Sequence, residues 1–151
     1  MEKDDWVLLF HAALSQQLDK LTLAAARAKK RDPDGYEGNG NVKLLRALSK
    51  AMFETVPSDP TRESYRQGTT LGAANRHWRR IKIGRRFRLF FRYHSQAKVI
   101  VYAWVNDIHT LRNAGGRSDP YTVFERLLAQ GDPPADWADL VRRSQLAKKL
   151  H

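Results

Sequence analysis

With 151 residues, 42% of them hydrophobic and 28% charged, the chain is long enough to bury one core and too apolar to be a disordered tail. Zero cysteines exclude a disulfide framework, a Cys-ligated zinc site and thiol catalysis. The net charge of +11 is local: no acid occurs between Glu63 and Asp107, an interval holding ten of the 27 Lys and Arg residues, which leaves 17 basic against 16 acidic residues elsewhere. Positive charge gathered in one stretch is the footprint of a surface that meets phosphates.

The N-terminus, MEKDDWVLLFHAAL, carries acids where a secretion signal needs bases, and its apolar run is too short to span a bilayer. A cytoplasmic protein without a membrane partner is therefore expected. Trp6–Phe10 reads as a first strand. From His11 to Arg31 the pattern turns helical, with Leu14, Leu18, Leu21, Ala25 and Ala28 on one face and cations in the last turn. Asp32-Pro33-Asp34-Gly35 breaks that helix, and a second one carries Leu45, Leu48, Met52 and Val56 as its apolar stripe up to Pro57. Such a hairpin must cover one face of a sheet. Residues 57–77 show no period.

Three strands follow. In the first, Arg80 and Lys82 alternate with Ile81 and Ile83; in the second, Arg86, Arg88, Phe90 and Arg92 alternate with Phe87, Leu89, Phe91 and Tyr93. Gly84-Arg85 is expected as a two-residue hairpin turn between them. The third, Val99–Val105, is apolar on both sides, as a central strand would be. Asp119-Pro120 starts a helix that Gly131 stops, Pro133-Pro134 separates it from a last helix around Asp136–Leu146, and residues 147–151 form a flexible tail. The expectation is a single α+β domain over 1–151.

The alternation puts Arg80, Lys82, Arg88 and Arg92 on one face with Phe90 among them. Guanidinium groups bind phosphate oxygens through paired hydrogen bonds, and an aromatic ring in the patch offers a base something to stack on. An ordinary solvated face would mix signs, since unopposed like charges repel. Cleaving RNA without a metal requires activating a 2'-hydroxyl, neutralising the phosphorane and protonating the 5'-oxygen. The arginines serve the second need; the others call for Lys82, Tyr93, Tyr121 or a histidine. The histidines lack ligand spacing, so neither a metal nor another cofactor is expected. A nucleic-acid-binding module without catalysis, or a corepressor, is the alternative that this face permits.

The blocks LGAANRHWRRIKIGRRFRLFFRY, VIVYAWVNDIHTLR and SDPYTVFERLLAQGDPPADW, with a histidine at the chain end, closely resemble the YhaV family of bacterial toxins, within the RelE-like superfamily of type II toxin-antitoxin systems. The resemblance implies a RelE-like fold: an antiparallel twisted sheet with an N-terminal helical hairpin and C-terminal helices. It implies an endoribonuclease that cuts mRNA, in association with the ribosome or free of it, and arrests translation and growth. By position it assigns catalysis to Arg80, Lys82 and Arg88, with Arg112 and Tyr121 joining Arg86, Phe90 and Arg92 in RNA binding, and it makes His151 a candidate proton carrier. The implied partner is a PrlF-like antitoxin with an AbrB-type DNA-binding end, through which operator DNA is reached. An acidic antitoxin segment is expected to lie over the basic face.

Overall fold

The computed structural model describes residues 1–107 and 111–150. Its sheet is built around β2 (Trp6–His11) and β5 (Val99–Val105), which lie side by side. From β5 the sheet continues through β4 (Phe87–His94) to β3 (Arg79–Ile83). At the other edge β1 (Glu2–Lys3) pairs with the start of β2 and β6 (Ser144–Leu146) with its end. The pairing of β2 with β5 is parallel, Val7 opposite Val99 through Phe10 opposite Tyr102, whereas β3–β4 and β4–β5 are antiparallel. The sheet is thus mixed and not antiparallel throughout. Between β2 and β3 the chain crosses over one face as helices, so β2 can lie beside the last strand of the hairpin series running in the same direction.

Alternation along the strands divides the core in two. Leu8, Phe10, Leu89, Phe91, Ile100 and Tyr102 meet the helical hairpin, formed by α1 (Ala12–Arg31) and α2 (Gly40–Lys50), through Leu14, Leu18 and Leu48, and through Met52 just beyond α2. Leu9, Phe90, Val101 and Ala103 face the other way, onto Trp78, Tyr121, Phe124 and Leu140. One irregularity matters: Phe90 pairs with Trp104 and Phe91 with Tyr102, so Ala103 is an extra residue in β5. The bulge turns Ala103 and Trp104 to the same side, where Trp104 stacks on Phe90 and Phe124.

Helix α2 passes through a π turn (Ala51–Thr55) into a last turn, α3 (Val56–Ser58). The Val56 N–H donates to Ala51 O, five residues back, and Pro57 has no N–H with which to continue the pattern to Met52 O. Tyr102 Oη supplies the missing donor to Met52 O at 2.7 Å, and burial keeps that phenol neutral by raising its pKa.

The segment without periodicity is ordered by one buried side chain. Gln67 donates to Asn75 O at 2.8 Å and accepts from Thr70 Oγ1 and the Leu71 N–H. A buried amide with this many partners pins the loop against β3, where Arg66 bridges to Arg79. Helix α4 (Pro120–Ala129) begins at the Asp119 cap and covers the second face of the sheet. The last helix is shorter than its pattern suggests: α5 (Trp137–Arg142) gives way to β6, and Ala147 N still reaches Leu8 O at 2.9 Å. No helix among the described residues is long and apolar enough to cross a membrane.

Candidate active site

Where β3 and β4 run together, alternation places Arg80 opposite Phe90 and Lys82 opposite Arg88. Helix α4 lies over this end of the face and brings in Tyr121, two residues past its cap. The Tyr121 hydroxyl oxygen accepts from Arg80 Nε at 2.8 Å and from Arg88 Nε at 3.3 Å. The Arg112 guanidinium lies 4.6 Å from the centre of the same ring. One phenol therefore gathers three arginines from three segments, and its ring is held edge-on to Phe90.

The other contacts of these arginines decide the charge of the site. Arg80 Nη1 donates to Ser64 O at 2.6 Å, while Arg88 Nη1 donates to Arg85 O and Phe87 O at 3.0 and 2.8 Å. These acceptors are neutral, so they fix the guanidinium groups without cancelling their charge. Arg112 is different: its Nη1 donates to the buried Asp119 carboxylate at 2.7 Å. Asp119 also accepts from the N–H groups of Asn113 and Tyr121, so one carboxylate caps α4 and holds the Arg112 segment. With both acceptor positions of the Tyr121 oxygen taken by arginines, its own hydrogen remains to donate.

Arg88 is itself buried, 6% exposed, and sits in a small frame. Asn106, just after the β5 bulge, accepts from the Arg88 backbone N–H at 2.6 Å and donates to Arg86 O at 2.8 Å. Lys82 is exposed beside it. Among the residues expected from sequence, Arg80, Lys82, Arg88, Arg112 and Tyr121 come together here.

Others do not. Phe90 is completely buried, stacked 4.3 Å from Phe124, and has no face left for a base. Arg92 lies beyond that aromatic layer, between Trp78 and Trp137 at 5.5 and 5.4 Å, with Nη1 donating to Ala135 O. Burial draws its pKa down, Asp136 pulling the other way, and its contacts close α5 onto the sheet. Arg86 is in the turn and not in the strand; the register of Ile83 with Phe87 leaves Gly84, Arg85 and Arg86 as a three-residue connection, with Gly84 at φ +62°. Arg86 still borders the cluster, its Nε donating to Arg112 O at 3.2 Å. Partial burial first, then Arg92 and Arg79, lower the pKa of His77 beside this face. His151 lies outside the described residues.

Sequence reasoning missed Asn106 and the second duty of Asp119. Asp119 had a visible signal, as a helix cap; nothing in the local pattern announces Asn106. Among the described residues no group of three or more His, Asp or Glu side chains is placed to hold a metal ion.

A family model described as a toxin with endonuclease activity, of a toxin-antitoxin system, matches residues 8–145, the whole arginine cluster included. The chain belongs to the YhaV toxin family. It is 39% identical over 142 residues to the ribonuclease toxin YhaV of Escherichia coli strain K12, a match covering 93% of this chain and 92% of that protein. The toxin YhaV of Escherichia coli O157:H7 is 39% identical and that of strain O6:H1 38%, each over the same 142 residues. No solved structure matches the chain. An endonuclease must stabilise a phosphate that gains charge, and Arg80 and Arg88 beside Tyr121 are cations held by neutral acceptors.

Proposed function

We propose that this YhaV-family chain is the toxin of a type II system, an endoribonuclease that cuts mRNA in the cytoplasm and so inhibits translation and growth, and that its sheet and helices are of the RelE-like kind. The supporting observation is the Tyr121 cluster, where Arg80 and Arg88 are immobilised by neutral acceptors and keep their charge for a substrate. In the reaction the RNA 2'-oxygen attacks the adjacent phosphorus, the P–O5' bond breaks, and the products carry a 2',3'-cyclic phosphate and a 5'-hydroxyl. Arg80 and Arg88 take the non-bridging oxygens as their charge grows, and fixed donors of this sort contribute more than mobile ones because nothing has to reorganise. The Tyr121 hydroxyl hydrogen adds a donor from the same point. Lys82, exposed and cationic, supplies the proton to the departing 5'-oxygen. The family resemblance makes His151 a candidate proton carrier, here for the 2'-hydroxyl; its neighbour Leu150 packs on the helical-hairpin side of the sheet, away from Tyr121, so the role requires the tail to leave that side. Arg112 and Arg86 hold the flanking RNA backbone. The antitoxin is of the PrlF type, with an AbrB-like end that brings the pair to operator DNA.

The test is cleavage of a defined RNA by the purified chain, with and without ribosomes, followed by end analysis. Cyclic 2',3'-phosphate ends that vanish in Arg80→Ala and Arg88→Ala are the expected result. Intact RNA under both conditions would overturn the proposal. Binding without cleavage would leave a nucleic-acid-binding module in its place.

A further inference from the structure

On the opposite side of the sheet from Tyr121, α1, α2 and residues near both chain ends enclose an open groove of about 810 Å³. Its floor is apolar, formed by Val42, Leu45, Phe53 and Leu150. Around it stand Lys3, Lys29, Arg46, Lys50 and Lys149, against one acid, Glu54. Outside the acid-free interval the chain has 17 basic and 16 acidic residues, so five cations to one anion is a local concentration that overall composition does not produce. Two of the cations are held at the mouth, Lys29 and Arg46 lying 5.5 and 5.9 Å from the centre of the Tyr36 ring. Among the described residues the one ion pair that Arg46 makes, with Glu37 at 3.4 Å, is exposed and contributes little.

A basic rim alone would suit RNA, but an RNA backbone has nothing to place on an apolar floor. A polypeptide segment that surrounds a few apolar side chains with acidic ones matches floor and rim together, as in helix-in-groove recognition. The volume falls within the roughly 300–1,000 Å³ of ordinary ligand clefts, enough for several side chains. Membership of a toxin-antitoxin family supplies a protein partner. We propose that this groove is the seat of an acidic, apolar-anchored segment of the antitoxin, a proposal that rests on the toxin reading above. Docking here leaves Arg80 and Arg88 uncovered and brings the partner onto Lys149 and Leu150. It moves the main antitoxin contact away from the arginine face, where charge alone had suggested it.

Two variants separate charge from shape. Lys29→Glu/Arg46→Glu/Lys50→Glu reverses three exposed rim residues, and Ala26→Trp, at an exposed α1 position lining the groove, fills it. Binding of the full-length cognate antitoxin would be followed by calorimetry at two salt concentrations. The expected result is a Kd raised at least 100-fold in each variant, with a flatter salt dependence only in the triple reversal. RNA cleavage by both should stay at the wild-type rate, and Arg80→Ala/Arg88→Ala should bind antitoxin normally. A Kd within threefold of wild type in both variants overturns the proposal. So would loss of RNA binding in the rim variant, or light scattering that shows a wild-type dimer dissociated by Ala26→Trp, the latter making a second copy the occupant. If the wild-type chain cuts no RNA, the nuclease reading fails while the binding titration still reports on the groove.

Discussion

Replacing Tyr121 by Phe removes one oxygen and leaves the ring, so the edge-on contact with Phe90 and the Arg112 stacking remain and no cavity opens. What is lost is the acceptor shared by Arg80 and Arg88. Arg88 is buried, and a hydrogen bond from a charged donor left unmade there costs about 1.5–3 kcal/mol. Arg80 is half-exposed and recovers water, adding about 0.5 kcal/mol. The expected destabilisation is about 2–3.5 kcal/mol, read as a shift in urea midpoint at unchanged slope. Cleavage should fall further than stability accounts for, by roughly 10²–10³-fold at saturating RNA, because two donors lose their common anchor and small misplacements of such groups are costly. Single-turnover cleavage, measured where the variant is still folded, separates the effects. Binding to an RNA with a 2'-deoxy block at the scissile position should weaken little. A Tyr121→Phe variant within threefold of wild-type cleavage and about 0.3 kcal/mol of wild-type stability would refute the organising role given to this hydroxyl.

Lys82→Met changes an exposed residue, so its stability should stay within about 0.5 kcal/mol while cleavage drops at least tenfold. Asp119→Ala removes a helix cap and releases Arg112; we expect about 2 kcal/mol of destabilisation by denaturant melt, with weakened RNA affinity. If His151 is the base, a pH–rate inflection near about 6.5 should disappear in His151→Ala; an unchanged profile would remove it from the mechanism. His11 caps α1 through Nδ1, with Asp132 at 3.5 Å from Nε2, and its pKa is lowered by burial first and by Arg143, against Asp132. The unfolded chain therefore binds this proton more readily than the folded one. The resulting stability is complete above about pH 6.5 and is lost as pH falls through the lower folded pKa. His11→Asn, which keeps a capping acceptor, should flatten that part of the pH–stability curve.

Period-two alternation was enough to bring Arg80, Lys82 and Arg88 to one face, because a strand side chain has only two sides to choose from. The same parity misled for Phe90 and Arg92. Alternation tells which side a residue takes and nothing about what covers it, and α4 and α5 cover both. The helical hairpin was legible from Leu14, Leu18, Leu45 and Leu48, whose spacing reflects burial of one stripe. Strand order was not, since the parallel neighbour of β2 is fixed by where the helical crossover ends. Strands β1 and β6, two and three residues long, are too short for any period to show. Asp119 could be read as a cap because capping is local. Its grip on Arg112 needed the fold, as did the convergence on Tyr121, some 40 residues from β3.

The extra residue in β5 marks the point of that strand where the chain length can change by one without changing parity. Deleting Ala103 would restore regular alternation with Tyr102 still opposite Phe91 and Trp104 still opposite Phe90, so each side chain would keep its present side of the sheet. Asn106 would keep its side as well, and with it the hydrogen bond from the Arg88 backbone N–H. Substitution by another small residue keeps the count and the parity. At this point the site is specified by the parity of β5 more than by which residue stands at 103, so loss of that one codon, like Ala103→Gly or Ala103→Ser, should leave cleavage in place, whereas loss of Val101 would carry Tyr102 to the other side of the sheet and away from Met52 O.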